Sequence, residues 1–216
     1  MTYIELVNDV LIRLREGTVS SVSDNAYSKL IGTFVNDAKR TVEDAYNWNA
    51  LTDTLTAVTA DDVFNYVLVG SGTRFRILNV INDTSNEVMG YKTGLEMDEL
   101  FLIPSTVQKG SPLWYNFNGV NNNGDTQVDV YPKPDGVYNL RFNMIVPQTR
   151  LVSDSTIIKV PEEPVILLAY AKAIAERGED GGLASNEAYA LYKQSLTDHI
   201  SIEAGHYQEE YMWYSA

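Results

Sequence analysis

The sequence predicts an α+β protein: helices from both ends of the chain pack as one antiparallel bundle, with an antiparallel β domain, a sandwich or a barrel, inserted between them. Three observations carry this. Apolar residues recur at helical spacing near both ends of the 216-residue chain, and the stretch from about residue 51 to 160 consists of short runs rich in Val, Ile, Thr, Tyr and Phe. Gly, Asn, Asp and Pro separate those runs. The expected domains are 1–50 with 161–216 for the bundle and 51–160 for the β domain.

Ile4, Val7, Val10, Leu11 and Leu14 form one helical stripe, which ends near Gly17. After a connector holding Ser20, Ser21 and Ser23, either Ser23 or Asp24 is suited to cap a second helix by accepting an orphan backbone N–H. Tyr27, Leu30, Ile31, Phe34, Ala38, Val42 and Ala45 then carry that helix to about Trp48. Phe34→Ala is expected to cost about 3–5 kcal/mol if Phe34 lies in the bundle core.

Strands are expected at 51–58, 64–69, 75–81, 87–92, 113–117, 127–131 and 138–146. Gly70-Ser71-Gly72 and Lys133-Pro134-Asp135-Gly136 read as hairpin tips, because Gly and Pro supply tight-turn backbone angles. Leu95, Asp98, Glu99 and Leu102 predict a short helix inside this region. Helical pattern returns after Pro161, with Pro164 in the first turn and an Ala-rich run from 165 to 177. Gly178-Glu179-Asp180-Gly181-Gly182 stops it. A last helix carries Ala188, Leu191, Tyr192, Leu196 and Ile200 and continues toward Ala204.

Apolar residues make up 44% of the chain and charged ones 21%, the proportions of a globular protein and not of a disordered one. Net charge is −13, from 29 acidic and 16 basic side chains, the reverse of what binding DNA through counterion release requires. Tight DNA binding is disfavoured, whereas an acidic wall past which DNA slides is compatible with this balance. No run approaches the roughly 18 apolar residues of a membrane span, and the first five residues lack the pattern of a signal peptide. The chain is expected to be soluble, to meet no membrane and, having no Cys, to assemble in a reducing cytoplasm.

No catalytic, cofactor or metal site is expected. Gly70-Ser71-Gly72 lacks the third Gly and the following helix of a dinucleotide fingerprint. His199 and His206 stand seven residues apart, about 10 Å along a helix, too far for an ordinary local metal pair. Asp61-Asp62, Asp98-Glu99 and Glu162-Glu163 are adjacent acids of the kind common in loops and helix starts. The 14 Tyr and 3 Trp are more informative, since both residue types supply interface area at low entropic cost. Tyr207, Tyr211, Trp213 and Tyr214 crowd the last ten residues, so the terminus is expected to dock on the chain's own bundle or on a neighbour.

The run from Val130-Tyr131-Pro132-Lys133-Pro134-Asp135-Gly136 through Leu140 to Val146-Pro147 and Leu151 resembles the head-to-tail adaptors of short-tailed phages, the tail tubular protein A-like family. Ile158-Lys159-Val160-Pro161, the helix end Glu176-Arg177-Gly178-Glu179, the opening Tyr3-Ile4-Glu5-Leu6-Val7-Asn8 and the run from Ala38 to Trp48 are similar to further elements of that family. The resemblance implies a structural, non-enzymatic virion protein of the tail or neck. It would form a dodecameric ring of identical subunits between the portal protein ring and a tail tubular B-like nozzle protein, with the bundle toward the portal and the β domain toward the tail. DNA would pass through the centre without specific binding during genome ejection. Within that scheme Glu179 and Asp180 are the candidates for the channel wall, and Tyr207, Tyr211 and Trp213 for a groove of the portal or of a neighbouring subunit. The alternatives are another neck or tail role, such as a stopper or tail-completion protein, and a carbohydrate-binding or carbohydrate-processing β domain. The last would be favoured by acids clustered in one cleft with Trp48 or Trp114.

Overall fold

The computed structural model describes residues 1–178 and 182–206. The described residues form an α+β structure with five α-helices: α1 (Tyr3–Arg13), α2 (Ala26–Ala45), α3 (Gly94–Leu102), α4 (Glu162–Arg177) and α5 (Leu183–Ala204). The strands are β1 (Thr52–Val58), β2 (Asn65–Val67), β3 (Arg76–Asn82), β4 (Glu87–Val88), β5 (Gly90–Tyr91), β6 (Trp114–Val120), β7 (Thr126–Tyr131) and β8 (Asn139–Ile145). The chain divides into two compact units, one of Met1–Leu51 with Gln148–Ala216 and one of Thr52–Pro147.

In the helical unit, α4 packs against α1, α2 and α5, and α1 against α2. Thr2 and Glu5 close a capping box at the start of α1. The cap of α2 is Asn25, not Ser23 or Asp24, and Ser28 reciprocates. Asp24 instead accepts from the Ser20 and Ser21 amides at 2.8 and 2.9 Å, which folds the serine connector. The α2 helix ends at Ala45, short of Trp48, and the chain turns so that Trp48 Nε1 donates to the Val42 carbonyl at 2.7 Å. Ile31, Val35, Ala38 and Val42 are fully buried, spaced as one helix face. Phe34 lies at the margin of that face and is only half-buried, so its truncation is expected to cost well under the core value.

Residues 148–159 run as a strap against α1 and α2, held by polar contacts and by the buried side chains of Leu151 and Ile158. Tyr3 N donates to Thr156 O at 2.9 Å and Ile4 N to Asp154 O at 3.1 Å. Asn36, buried on α2, accepts from Leu151 N at 2.8 Å and donates to Leu151 O at 3.1 Å. One turn further along α2, Lys39 and Glu43 form an ion pair at 2.8 Å with both side chains out of solvent. Lys39 Nζ also donates to Gln148 O at 2.7 Å, and Gln148 N donates to Glu43 Oε1 at 3.1 Å.

In the β unit, one four-stranded sheet has the order β1-β8-β3-β4 and the other β2-β7-β6-β5. Val80, Leu140, Phe142 and Met144 from the first sheet and Tyr115, Val128 and Val130 from the second share one buried core. Two separate sheets around one core make a sandwich, not a closed barrel. The second sheet is mixed, because β5 pairs parallel with β6. That pairing is open to it since α3 and its loops form a crossover long enough to bring the chain back in the same direction.

Neither predicted hairpin tip joins paired strands. The turn at Gly70–Gly72 carries the chain from β2 in the second sheet to β3 in the first, and the turn at 132–138 carries it from β7 to β8 in the first. Tight-turn residues reverse the chain, but which sheet receives it depends on the side-chain face offered to the shared core. The expected strand at 87–92 is likewise divided: Glu87–Val88 joins the first sheet, Met89 enters the core, and Gly90–Tyr91 joins the second. A true β6–β7 hairpin closes at the Asn-rich turn, where Asn121 N donates to Asp125 O at 2.9 Å and Gly124 adopts φ 84°.

The turn at 132–136 is held by charge. Asp62 lies 3.1 Å from Lys133 Nζ and 3.3 Å from Lys109 Nζ, and its amide donates to Pro134 O at 2.9 Å. The hydrogen bond from Lys133, and next that from Lys109, hold the Asp62 carboxyl below its ordinary pKa. A depressed carboxylate contributes stability that is complete above its unfolded value, about 3.9, and is lost as pH falls through the folded value. Amides around this turn are therefore expected to lose protection, relative to their intrinsic exchange at the same pH, below about pH 4, an acid sensitivity that Asp62→Asn should abolish. Exchange rates with the same pH profile in both proteins would refute the assignment.

Candidate functional site

Three places in the chain are candidates for a site. In the β unit a groove of about 420 Å³ lies between α3 and the second sheet, with Asp98, Phe101, Phe64, Asn116, Asn118 and Asp129 among its walls. Phe101 packs on Phe64 and on Tyr131, at centroid distances of 4.9 and 5.4 Å, which docks α3 on the sheet. The Asp129 carboxylate accepts from Asn65 Nδ2 at 2.6 Å and from Asn118 Nδ2 at 2.8 Å, so the strands to either side occupy both its oxygens. Trp114 does not line this groove. Its ring lies under Lys92 Nζ, 4.5 Å from the centroid, and against Gly90, where any Cβ would collide with it. Trp48 is 2% exposed and belongs to the core of the helical unit. Trp48 does line a hollow with the acids Glu162 and Glu203, but its ring is almost wholly buried there.

The second place is the C-terminal end of α5. A hollow of about 380 Å³ is lined there by Trp48, Ile158, Val160, Pro161, His199 and Glu203. Glu203 Oε1 accepts from the Asn49 amide at 2.6 Å and Oε2 lies 3.2 Å from His206 Nδ1. His199 Nδ1 faces the Ser195 carbonyl at 2.8 Å. The two histidines thus have separate local partners, and among the described residues no group of three or more His, Asp or Glu side chains is placed to hold a metal ion. Of the acid pairs, Asp61 and Asp62 face Lys109, and Glu162 and Glu163 occupy the first turn of α4, where a helix N-terminus favours negative charge.

The third is the set assigned from sequence. Glu179, Asp180, Tyr207, Tyr211 and Trp213 all lie outside the described residues. What is described on either side of the first two is a pair of left-handed glycines, Gly178 at φ 65° and Gly182 at φ 93°, which end α4 and begin α5. The last described residue before the aromatic terminus is His206, next to the hollow of Trp48 and Glu203.

With no reaction centre assembled from these groups, the decisive observation is one of kinship: the SU10 adaptor protein family matches residues 1–214. The chain belongs to that family. The match spans both compact units and is consistent with a phage head-to-tail adaptor. No curated protein matches the chain. As an SU10 adaptor it is a phage structural protein of the virion tail or neck, and its family implies interaction with portal and tail in general. None of its described helices is long and apolar enough to cross a membrane.

Sequence reasoning missed the polar strap of the SU10 adaptor. Gln148 donates through Nε2 to Ile157 O at 2.8 Å and accepts at Oε1 from Lys159 N at 3.1 Å, in addition to its backbone ties to Lys39 and Glu43. The one signal available was the spacing of Asn36, Lys39 and Glu43, polar residues at helical intervals on the apolar side of α2.

Proposed function

We propose that subunits of this protein associate side by side into a ring, dodecameric as the tail tubular protein A-like resemblance implies, that seats on the portal and offers a platform to a tail tubular B-like nozzle protein. The observation that carries the reading is the family match across 1–214, which takes in the helical and the β unit together. In this reading α1, α2, α4 and α5 work as one antiparallel bundle facing the portal, and the β unit faces the tail. DNA passes through the ring without specific binding, along a wall to which Glu179 and Asp180 contribute negative charge, in keeping with the net charge of −13. The work is assembly: an interface that closes by rotation gives a ring, and docking on a preformed portal makes association cooperative.

The test is to mix the purified chain with the portal ring of its own particle and image the product. Rings stacked on the portal are expected; a chain that stays monomeric beside bare portals overturns the reading. The aromatic terminus is the proposed anchor, with Tyr207, Tyr211 and Trp213 filling a groove of the portal or of a neighbouring subunit. Each of those rings would otherwise forgo on the order of 1.5–3 kcal/mol of burial. Deleting 207–216 is expected to leave the thermal transition unchanged and to abolish portal attachment. An unfolded truncation would return the aromatics to the chain's own core, and normal attachment would refute the anchor.

A further inference from the structure

The α5 helix has 22 residues, of which only Ala188, Tyr192 and Ser195 are buried, in a narrow seam against α4. A helix that merely covered a core would be polar on both sides of such a seam. This one is apolar on both. On one flank Leu191 and Ile202, three turns apart, are 51% and 63% exposed, with the acids Glu187 and Asp198 one and two turns from Leu191. On the other flank Tyr189, Leu196 and Ile200 form a stripe, Tyr189 44% exposed and the other two half-buried. Lys193, its Nζ 4.9 Å from the Tyr189 ring centroid, is the charge on that stripe.

The acidic flank also borders a hollow of about 370 Å³, whose lining includes Leu167, Leu191, Glu163, Asp198, His199 and Arg13. The other flank carries the opposite charge: an aromatic ring with an ammonium over it. Resting on the ring reading above, we propose that α5 carries both halves of the contact between neighbouring copies. The Tyr189–Lys193 stripe of one copy seats in the Leu191–Asp198 hollow of the next. Because the flanks differ and carry opposite charge, the contact is heterologous and propagates head to tail. A two-fold contact would instead set Lys193 against Lys193, or the acids against themselves.

The absence of Cys makes the contact testable by cross-linking. Lys193 and Asp198 are both exposed and lie five residues apart on nearly opposite sides of α5, too far for a bond within one chain. Particles carrying the Lys193→Cys, Asp198→Cys chain are oxidised and run on a denaturing gel. A ladder of multiples of the chain is expected, with neither single variant cross-linking. If the chain is present in the particle and no ladder forms, this interface is wrong while the adaptor reading stands. If either single variant yields dimers, the contact is two-fold and the proposal fails. If the unmodified chain is missing from the particle, the adaptor reading fails and the interface with it.

Discussion

Replacing Phe142 with alanine is expected to destabilise the β unit by about 3–5 kcal/mol. Phe142 is fully buried on β8, a strand bonded on one side to β1 and on the other to β3, and it is level with Leu55 and Val80. Across the sandwich its ring meets the edge of Tyr115 from β6, at 6.2 Å between centroids. Truncation therefore removes a contact between the two sheets and leaves a cavity bounded by strands on three sides, which a central strand cannot collapse to fill. Urea unfolding followed on the β unit should show a lower midpoint with an unchanged slope. Phe34→Ala, at the half-buried margin of α2, should cost far less. A Phe142→Ala loss below about 1 kcal/mol would mean that the core relaxes around the gap.

Glu43→Ala is expected to cost a similar amount, about 3–5 kcal/mol, for an electrostatic reason. It leaves Lys39 charged and 3% exposed, with its hydrogen bond to the Gln148 carbonyl, and it removes the acceptor of the Gln148 amide. An ammonium stripped of its carboxylate in a dry site costs more than the intact pair gains. The double variant Lys39→Met, Glu43→Leu is accordingly expected to be more stable than Glu43→Ala alone, since no isolated charge remains. It should still fall short of the wild type, because both Gln148 backbone groups lose a partner. The check is a double-mutant cycle in urea built from Lys39→Met, Glu43→Leu and the two together. Additive single and double effects would show that the two side chains act independently and would refute the account.

The charge pair also marks where local pattern stops being informative. The stripes of α1, α2 and α4, and the strands β1, β3, β7 and β8, follow from apolar spacing within ten or twenty residues, because one helix face or one strand face must leave water whatever it packs against. The capping box at Thr2 and Glu5 and the left-handed Gly178 are similarly local. The exposed aromatic and charged residues of α5 were visible as letters, but their division into two flanks is defined only by which side α4 covers. Family kinship, carried by the motif around Pro132–Leu140 and by the helix ends, was legible too, since it depends on residue identity and not on contacts.

By itself, then, the sequence determined the α+β class, the order of helices and strands, the exclusion of thiol chemistry, and the adaptor kinship. Only the tertiary structure decided how the strands pair. It sends the turns at Gly70–Gly72 and 132–138 from one sheet to the other, divides 87–91 between two sheets, and makes β5 run parallel to β6. It alone binds residues 148–159 to α2 through Asn36, Lys39 and Glu43. The physical reason is common to both: a turn residue sets backbone angles over a few positions, and a polar residue announces only that it needs a partner. Which strand lies alongside, and which carbonyl or amide answers, is settled by burying one shared core, and the groups that meet there, such as Asn36 and Leu151, are 115 residues apart along the chain.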